Sequence, residues 1–261
     1  MKLLTFVLFF LATITVSCKL NPPETDTIYN VPDEFNLELA SIRDSATGVA
    51  DLGIRFTTTN LYPCKNVKVD AETNWQADNV LILLNKIVQP ANCSAGEAPA
   101  SVLLSLGNRP NAEYVCKINL GGAVSIEGKL KISDETVGIT FDERAGIILK
   151  RPNLNLVPTG TIWGWVGFEK PADQLYAKQF LSELTDLTTS PDLKPGFFGD
   201  FEWTSQNDFN IFLEKPAALQ TLNFVRSEFA PRAELEALLK KYRNDTGHPL
   251  TIFCWTTTGR I

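Results

Sequence analysis

From Phe35 to about Val157, apolar residues recur at every second position, and turn-forming residues interrupt them at short intervals. This pattern constrains the chain more than any other feature. A period of two fits a strand with one buried face, whereas a helix needs 3.6. Leu37 and Leu39 begin the series, and Leu52, Ile54 and Phe56 continue it. Tyr114, Cys116, Ile118 and Leu120 alternate without a break before the turn at Gly121-Gly122. Ile126, Leu130, Ile132, Val137, Ile139 and Phe141 complete the set. Many short strands with no helix between them predict an antiparallel β-sandwich over 35–157, about the size of an Ig-like domain. The Cys…Trp…Cys spacing of antibody domains is absent, so the prediction is of an architecture and not of a family.

Beyond Pro158 the period changes. TIWGWVGF (161–168) reads as a strand, and Tyr176, Phe180, Leu184 and Leu187 follow at helical spacing. Pro171 stands near the first helical turn, where its missing N–H does no harm. Leu235, Leu238, Leu239 and Tyr242 mark a second helix that starts at Pro231 and stops before Gly247. LTIFCWTTT (250–258) is a final strand. This order predicts an α+β, ferredoxin-like domain over 158–261, with both helices on one face of the sheet. Trp163 and Trp165 share one face of the first strand, and Phe253 and Trp255 share one face of the last. On neighbouring strands these four would form an aromatic plate, which Phe201 and Trp203 would extend. Such a plate suits an interface with the sandwich or with a protein partner, or a platform for a glycan.

The N-terminus predicts an address. Residues 1–17 combine Lys2, an uncharged apolar run from Leu3 to Ile14, and small or compact residues up to Ser17. A run of about a dozen residues is too short to span a bilayer and fits a signal peptide. The segment ending at Cys18 resembles the lipobox of bacterial lipoproteins, although Thr15 stands where that family usually has an aliphatic residue. The resemblance implies acylation of Cys18 and anchoring to a membrane through the N-terminal lipid. Lys19, in place of the Asp of inner-membrane-retained lipoproteins, favours the outer membrane. Residues 18–34 carry this Cys and a Pro-rich tether. Farther on, YPC (62–64), Cys93 followed by PA (99–100), TIWG (161–164) and LKPG (193–196) resemble bacterial lipoproteins of no assigned activity. That likeness implies no cofactor and no site residue.

Chemistry is sparsely marked. With 24 basic and 30 acidic residues the formal charge is −6, and no stretch is strongly basic, which argues against a nucleic-acid partner. Walker A, G-x-G-x-x-G, H-E-x-x-H and C-x-x-C are all absent, so neither a cofactor nor a metal is predicted. The only His, His248, lies in a loop with Asp245 nearby; a loop residue and a turn former account for them more simply than a catalytic pair. Asp200 and Glu202, two apart on an expected strand, are the carboxylate pair a hydrolase would use. No catalytic residue is assigned. The sequence favours a non-catalytic binding or assembly protein of the cell envelope. Its alternatives are a glycan-binding surface lipoprotein that uses the plate, and a hydrolase with an unmarked acid pair.

Five cysteines are odd for an exported chain, and acylation of Cys18 would leave four. Strands over 65–75 and 80–89, about a turn centred between Asp78 and Asn79, would set Cys64 opposite Cys93 at the open end of a hairpin. A Cys64–Cys93 disulfide is therefore expected, with Cys116 and Cys254 as buried thiols.

Overall fold

In the computed structural model, which describes residues 34–43, 50–228, 230–245 and 247–261, the alternating segments make a single ten-stranded sheet. Its strands are β1 (Phe35–Arg43), β2 (Ala50–Cys64), β3 (Lys68–Gln76), β4 (Asn79–Val88) and β5 (Ala95–Ser105). After them come β6 (Ala112–Leu120), β7 (Val124–Ile132), β8 (Thr136–Phe141), β9 (Ile147–Arg151) and β10 (Asn153–Asn155). The spatial order is β10-β8-β7-β6-β4-β3-β5-β2-β1-β9. Most neighbours are antiparallel, but β1 with β9, β4 with β6 and β3 with β5 run parallel.

Closure follows from the two edges. β9 and β10 lie at opposite ends of the strand order, yet only Pro152 separates them in the chain. The backbone thus carries one edge of the sheet around to the other, and the sheet curls into a nearly closed barrel. Curling also covers the exposed edges that an open sheet would present. The interior is one aliphatic core fed by every strand. On β7, Ile126, Leu130 and Ile132 point in while Glu127, Lys129 and Lys131 point to solvent. The predicted sandwich is therefore corrected. Alternation assigns inward and outward residues equally well to two stacked layers or to one curled sheet, and here the continuous ladder decides for the curled sheet.

The C-terminal region adds two smaller sheets. A five-stranded sheet has the order β12-β16-β11-β17-β18, built from β11 (Thr161–Phe168), β12 (Thr188–Thr189), β16 (Gln220–Glu228), β17 (Thr251–Thr256) and β18 (Gly259–Arg260). A three-stranded sheet contains β13 (Gly196–Phe197), β14 (Phe201–Ser205) and β15 (Asp208–Ile211). Helices α1 (Gln174–Asp186) and α2 (Arg232–Arg243) cover one face of the larger sheet. Helix α2 has Glu234 in its first turn and Lys240, Lys241 and Arg243 in its last, the arrangement that complements a helix dipole. Ala177, Phe180 and Leu184 of α1, and Leu235, Leu238 and Leu239 of α2, bury against Ile162, Val166 and Ile252.

The expectation of a ferredoxin-like α+β domain is also corrected. Among the described residues strand outweighs helix by 56% to 13%, and two helices do not make a ferredoxin-like α+β domain. The sheet face away from the helices is covered by the three-stranded sheet, and that sheet in turn abuts the barrel. Gly199 shows how closely: its φ is +85°, and an added Cβ would lie 2.6 Å from the Cβ of Ser41 on β1. The Arg151 guanidinium of β9 sits 4.6 Å from the ring centre of Phe197. The described residues accordingly form one compact unit.

Candidate functional site

Parity on β11 separates two cores. Ile162 and Val166 face the helices, while Trp163 and Trp165 face the three-stranded sheet. β17 pairs with β11 so that Trp255 lies opposite Trp163 and Phe253 opposite Trp165. The four aromatics thus share one face, with Trp165 and Phe253 stacked at 5.4 Å. Gly164 permits this close pairing, because a Cβ there would meet the Phe253 carbonyl oxygen at 1.8 Å. Phe201 and Trp203 of β14 lie over the plate, and Phe201 contacts Trp163 at 5.7 Å. Trp163 is 0% exposed and Trp165 2%, so their rings pack within the chain itself.

A charge completes that packing. Arg43, the last residue of β1, places its guanidinium 4.7 Å from the Trp163 ring centre and 5.1 Å from that of Trp255. Its Nε donates to Asp200 Oδ2 at 2.5 Å, and Trp163 Nε1 donates to the same oxygen at 3.1 Å. Both charged side chains are largely buried, at 11% and 14% exposure. Cation–π attraction and a charge-assisted hydrogen bond therefore act on one guanidinium in a dry setting. Alternation could not reveal this contact, because it joins residues 157 positions apart.

Beside this pin, a cavity of about 380 Å³ opens at the end of the barrel. Leu154, Leu156 and Val157 supply an apolar wall, with Trp163 and Phe198 at the side of the plate. Two loops supply much of the polar part of its lining. The β5–β6 connection contributes Asn108, Arg109 and Asn111, and the β7–β8 turn contributes Ser133 and Asp134. Asp51, at the start of β2, accepts hydrogen bonds from Ser105 Oγ at 2.5 Å and from the Leu52 N–H at 2.9 Å. Asn111 Nδ2 donates to Asp134 Oδ1 at 2.5 Å. Arg109 lies over Trp75 at 4.3 Å, Trp75 meets Tyr114 edge-on, and the Tyr114 hydroxyl donates to the Pro110 carbonyl at 2.8 Å. The loop that presents these groups is thus braced from beneath. In the sequence, GNRPN (107–111) reads only as a turn; its three nitrogen donors within four residues are the signal of a site.

The other candidates lie elsewhere. His248 Nδ1 is 3.1 Å from Asp173 Oδ1, and its ring rests on Tyr176 at 4.6 Å. Tyr176 donates its hydroxyl to Asp245, and the N–H groups of Gly247 and His248 also reach that carboxylate. These hydrogen bonds, that of Tyr176 foremost, hold Asp245 below the usual carboxylate range. This cluster sits beside α1, and none of its members lines the cavity. Asp200 and Glu202 are not brought together: Asp200 is taken up by Arg43 and Trp163, while Glu202 is exposed. Among the described residues no group of three or more His, Cys, Asp or Glu is placed to hold a metal ion. Cys18 lies outside the described residues.

Cys64 and Cys93 form a disulfide with their Cα atoms 5.4 Å apart. The bond is the expected one, but the hairpin is not its cause. The β3–β4 hairpin pairs Gln76 with Asn79 and bulges between Asp70 and Ala71, which departs from the expected register. Cys64 ends β2, opposite Ala95 of β5, and Cys93 lies just before β5. Adjacency of β2 and β5 therefore brings the sulfurs together. Cys116 and Cys254 are free and buried, and burial pushes both thiols up to about 12. No family model, curated protein or solved structure matches this chain, so its geometry alone carries the functional reading.

Proposed function

We propose that this is an exported bacterial protein, anchored by lipid at Cys18 to the outer membrane, and that it acts by binding a small molecule rather than by catalysis. The observation that carries the binding reading is the cavity at the barrel mouth, a placement and size typical of ligand sites. The Cys64–Cys93 disulfide supports export, since it is consistent with an oxidising compartment. No helix among the described residues is long and apolar enough to cross a membrane, and the anchor proposed is the N-terminal lipid. The plate is a poor glycan platform, since the chain's own three-stranded sheet lies on it. Against the hydrolase reading, the Asp200 carboxylate is spent on a buried ion pair.

Mass spectrometry of the mature N-terminus tests the anchor. Acylated Cys18 is expected, and Cys18→Ser should move the protein from the membrane to the soluble fraction. An unmodified Cys18, or cleavage at another site, would sink this part of the proposal.

A further inference from the structure

The chemistry of the cavity lining narrows what it can hold. Its charged residues are Arg43, Arg109, Asp51 and Asp134, two of each sign. Arg43 is already matched by Asp200. An anionic ligand would therefore meet two carboxylates against one available guanidinium. A cationic ligand would meet Arg109 as well as two carboxylates that already accept hydrogen bonds from Ser105 and Asn111. Neither is well served.

What the lining offers instead is a mixture of donors and acceptors. Asp51 and Asp134 accept only; Arg109 donates only; Asn108, Asn111 and Asn155 do both. Ser41 and Ser133 add hydroxyls. Asp134 accepts a side-chain hydrogen bond from Asn111 through one oxygen, so acceptor positions on its carboxylate remain. Arg109 uses its Nε on the Leu106 carbonyl at 3.4 Å, which leaves its terminal nitrogens for a ligand. The same cavity has an apolar part, formed by Leu154, Leu156 and Val157.

Taking the cavity to be a binding site, as proposed above, the geometry points to a neutral polyhydroxylated ligand, a saccharide of about one or two rings, as its occupant. Each sugar hydroxyl both donates and accepts, so neighbouring hydroxyls can bridge a carboxylate and an amide or guanidinium. The C–H faces of the rings would lie on the aliphatic wall. The polar side of the site comes from exposed loop residues, Asn108, Arg109, Asn111 and Asp134, on a barrel that fixes their spacing. The glycan site is thus at the barrel mouth, where Trp163 alone of the plate reaches its lining.

Saturation-transfer NMR on the mature protein tests this inference. The probes are maltose, cellobiose, lactose and mannobiose, which together vary the axial and equatorial hydroxyls and the linkage. Leucine and 2-naphthoate serve as zwitterionic and anionic comparisons. At least one disaccharide should give a signal. Asp134→Ala and Arg109→Ala should each weaken it fivefold or more, and Leu156→Trp, which fills the opening, should abolish it. All three positions are exposed, so the variants are expected to fold, and circular dichroism checks that they do. If leucine or naphthoate binds in a way that Leu156→Trp blocks, while no sugar binds, the ligand class is wrong and the binding site stands. Sugar signals indifferent to all three variants would place the glycan elsewhere and overturn the inference. Silence from every probe would overturn both the inference and the binding function beneath it.

Discussion

The barrel and the aromatic plate are closed by different physics. In the barrel, side chains such as Leu130, Ile139 and Ile54 fill an aliphatic core, and the chain carries one edge of the sheet around to the other through Pro152. Around the plate, large rings leave a seam that is sealed by one guanidinium and one carboxylate. Aliphatic contacts are non-directional, so such a core can repack when a residue changes. A buried ion pair is directional, and removal of one member strands the other in a dry site. The second kind of closure should fail more sharply, and it should fail at the junction between barrel and C-terminal region.

The largest expected effect is therefore at Arg43. Arg43→Ala should destabilise the protein by about 3–5 kcal/mol in urea unfolding, because the largely buried Asp200 loses its cationic partner. The paired variant Arg43→Met with Asp200→Asn should recover most of that loss. If the single and paired variants are equally unstable, packing on Trp163 is what matters and the contrast with the barrel dissolves.

Removal of the disulfide probes the other side of the comparison. Cys64 and Cys93 are separated by 29 positions, for which the chain-entropy relation gives roughly 3–4 kcal/mol. Cys64→Ser with Cys93→Ser should lower stability by about that amount. The two buried thiols then report where the loss falls: Cys116 belongs to the barrel core and Cys254 to the helix-covered core. Alkylation of Cys116 in the native state should accelerate more than that of Cys254. Equal acceleration would mean that the two cores open as one unit.

The smallest effect is a dependence on pH confined to the helical side. Glu183 accepts from Lys241 and from the Tyr242 hydroxyl, and these bonds, led by Lys241, hold its carboxyl below 4.5. A carboxyl that titrates lower in the folded protein than in the unfolded chain stabilises fully above the unfolded value. That contribution fades as pH falls through the folded value. The urea midpoint should therefore decline slightly below about pH 4.5, and Glu183→Gln should flatten the decline. An unchanged slope would show that this partly exposed pair adds nothing measurable, as many surface pairs do.

Local pattern makes much of this architecture legible. Alternation on β6 names Tyr114, Cys116, Ile118 and Leu120 as interior residues, and all four are buried. Helical spacing after Pro171 and Pro231 locates α1 and α2. The shared parity of Trp163, Trp165, Phe253 and Trp255 comes from the same period of two, and strand pairing sets them side by side. The cysteine pair is legible too, although through a hairpin register that β3 and β4 do not adopt.

What the sequence determined by itself is thus the set of faces: which side chains turn inward, where strands and helices lie, and which cysteines are left to pair. Those properties depend on neighbours a few residues apart, and backbone periodicity transmits them directly. Tertiary structure alone decided that the sheet curls into a nearly closed barrel, that a three-stranded sheet covers the plate, and that Arg43 meets Asp200. It also decided that the β5–β6 loop meets Asp134 at the rim of a cavity. Each of these depends on the path by which distant segments return to one another. A period of two is the same for a flat layer and a curled one, so no local pattern records which path the chain takes.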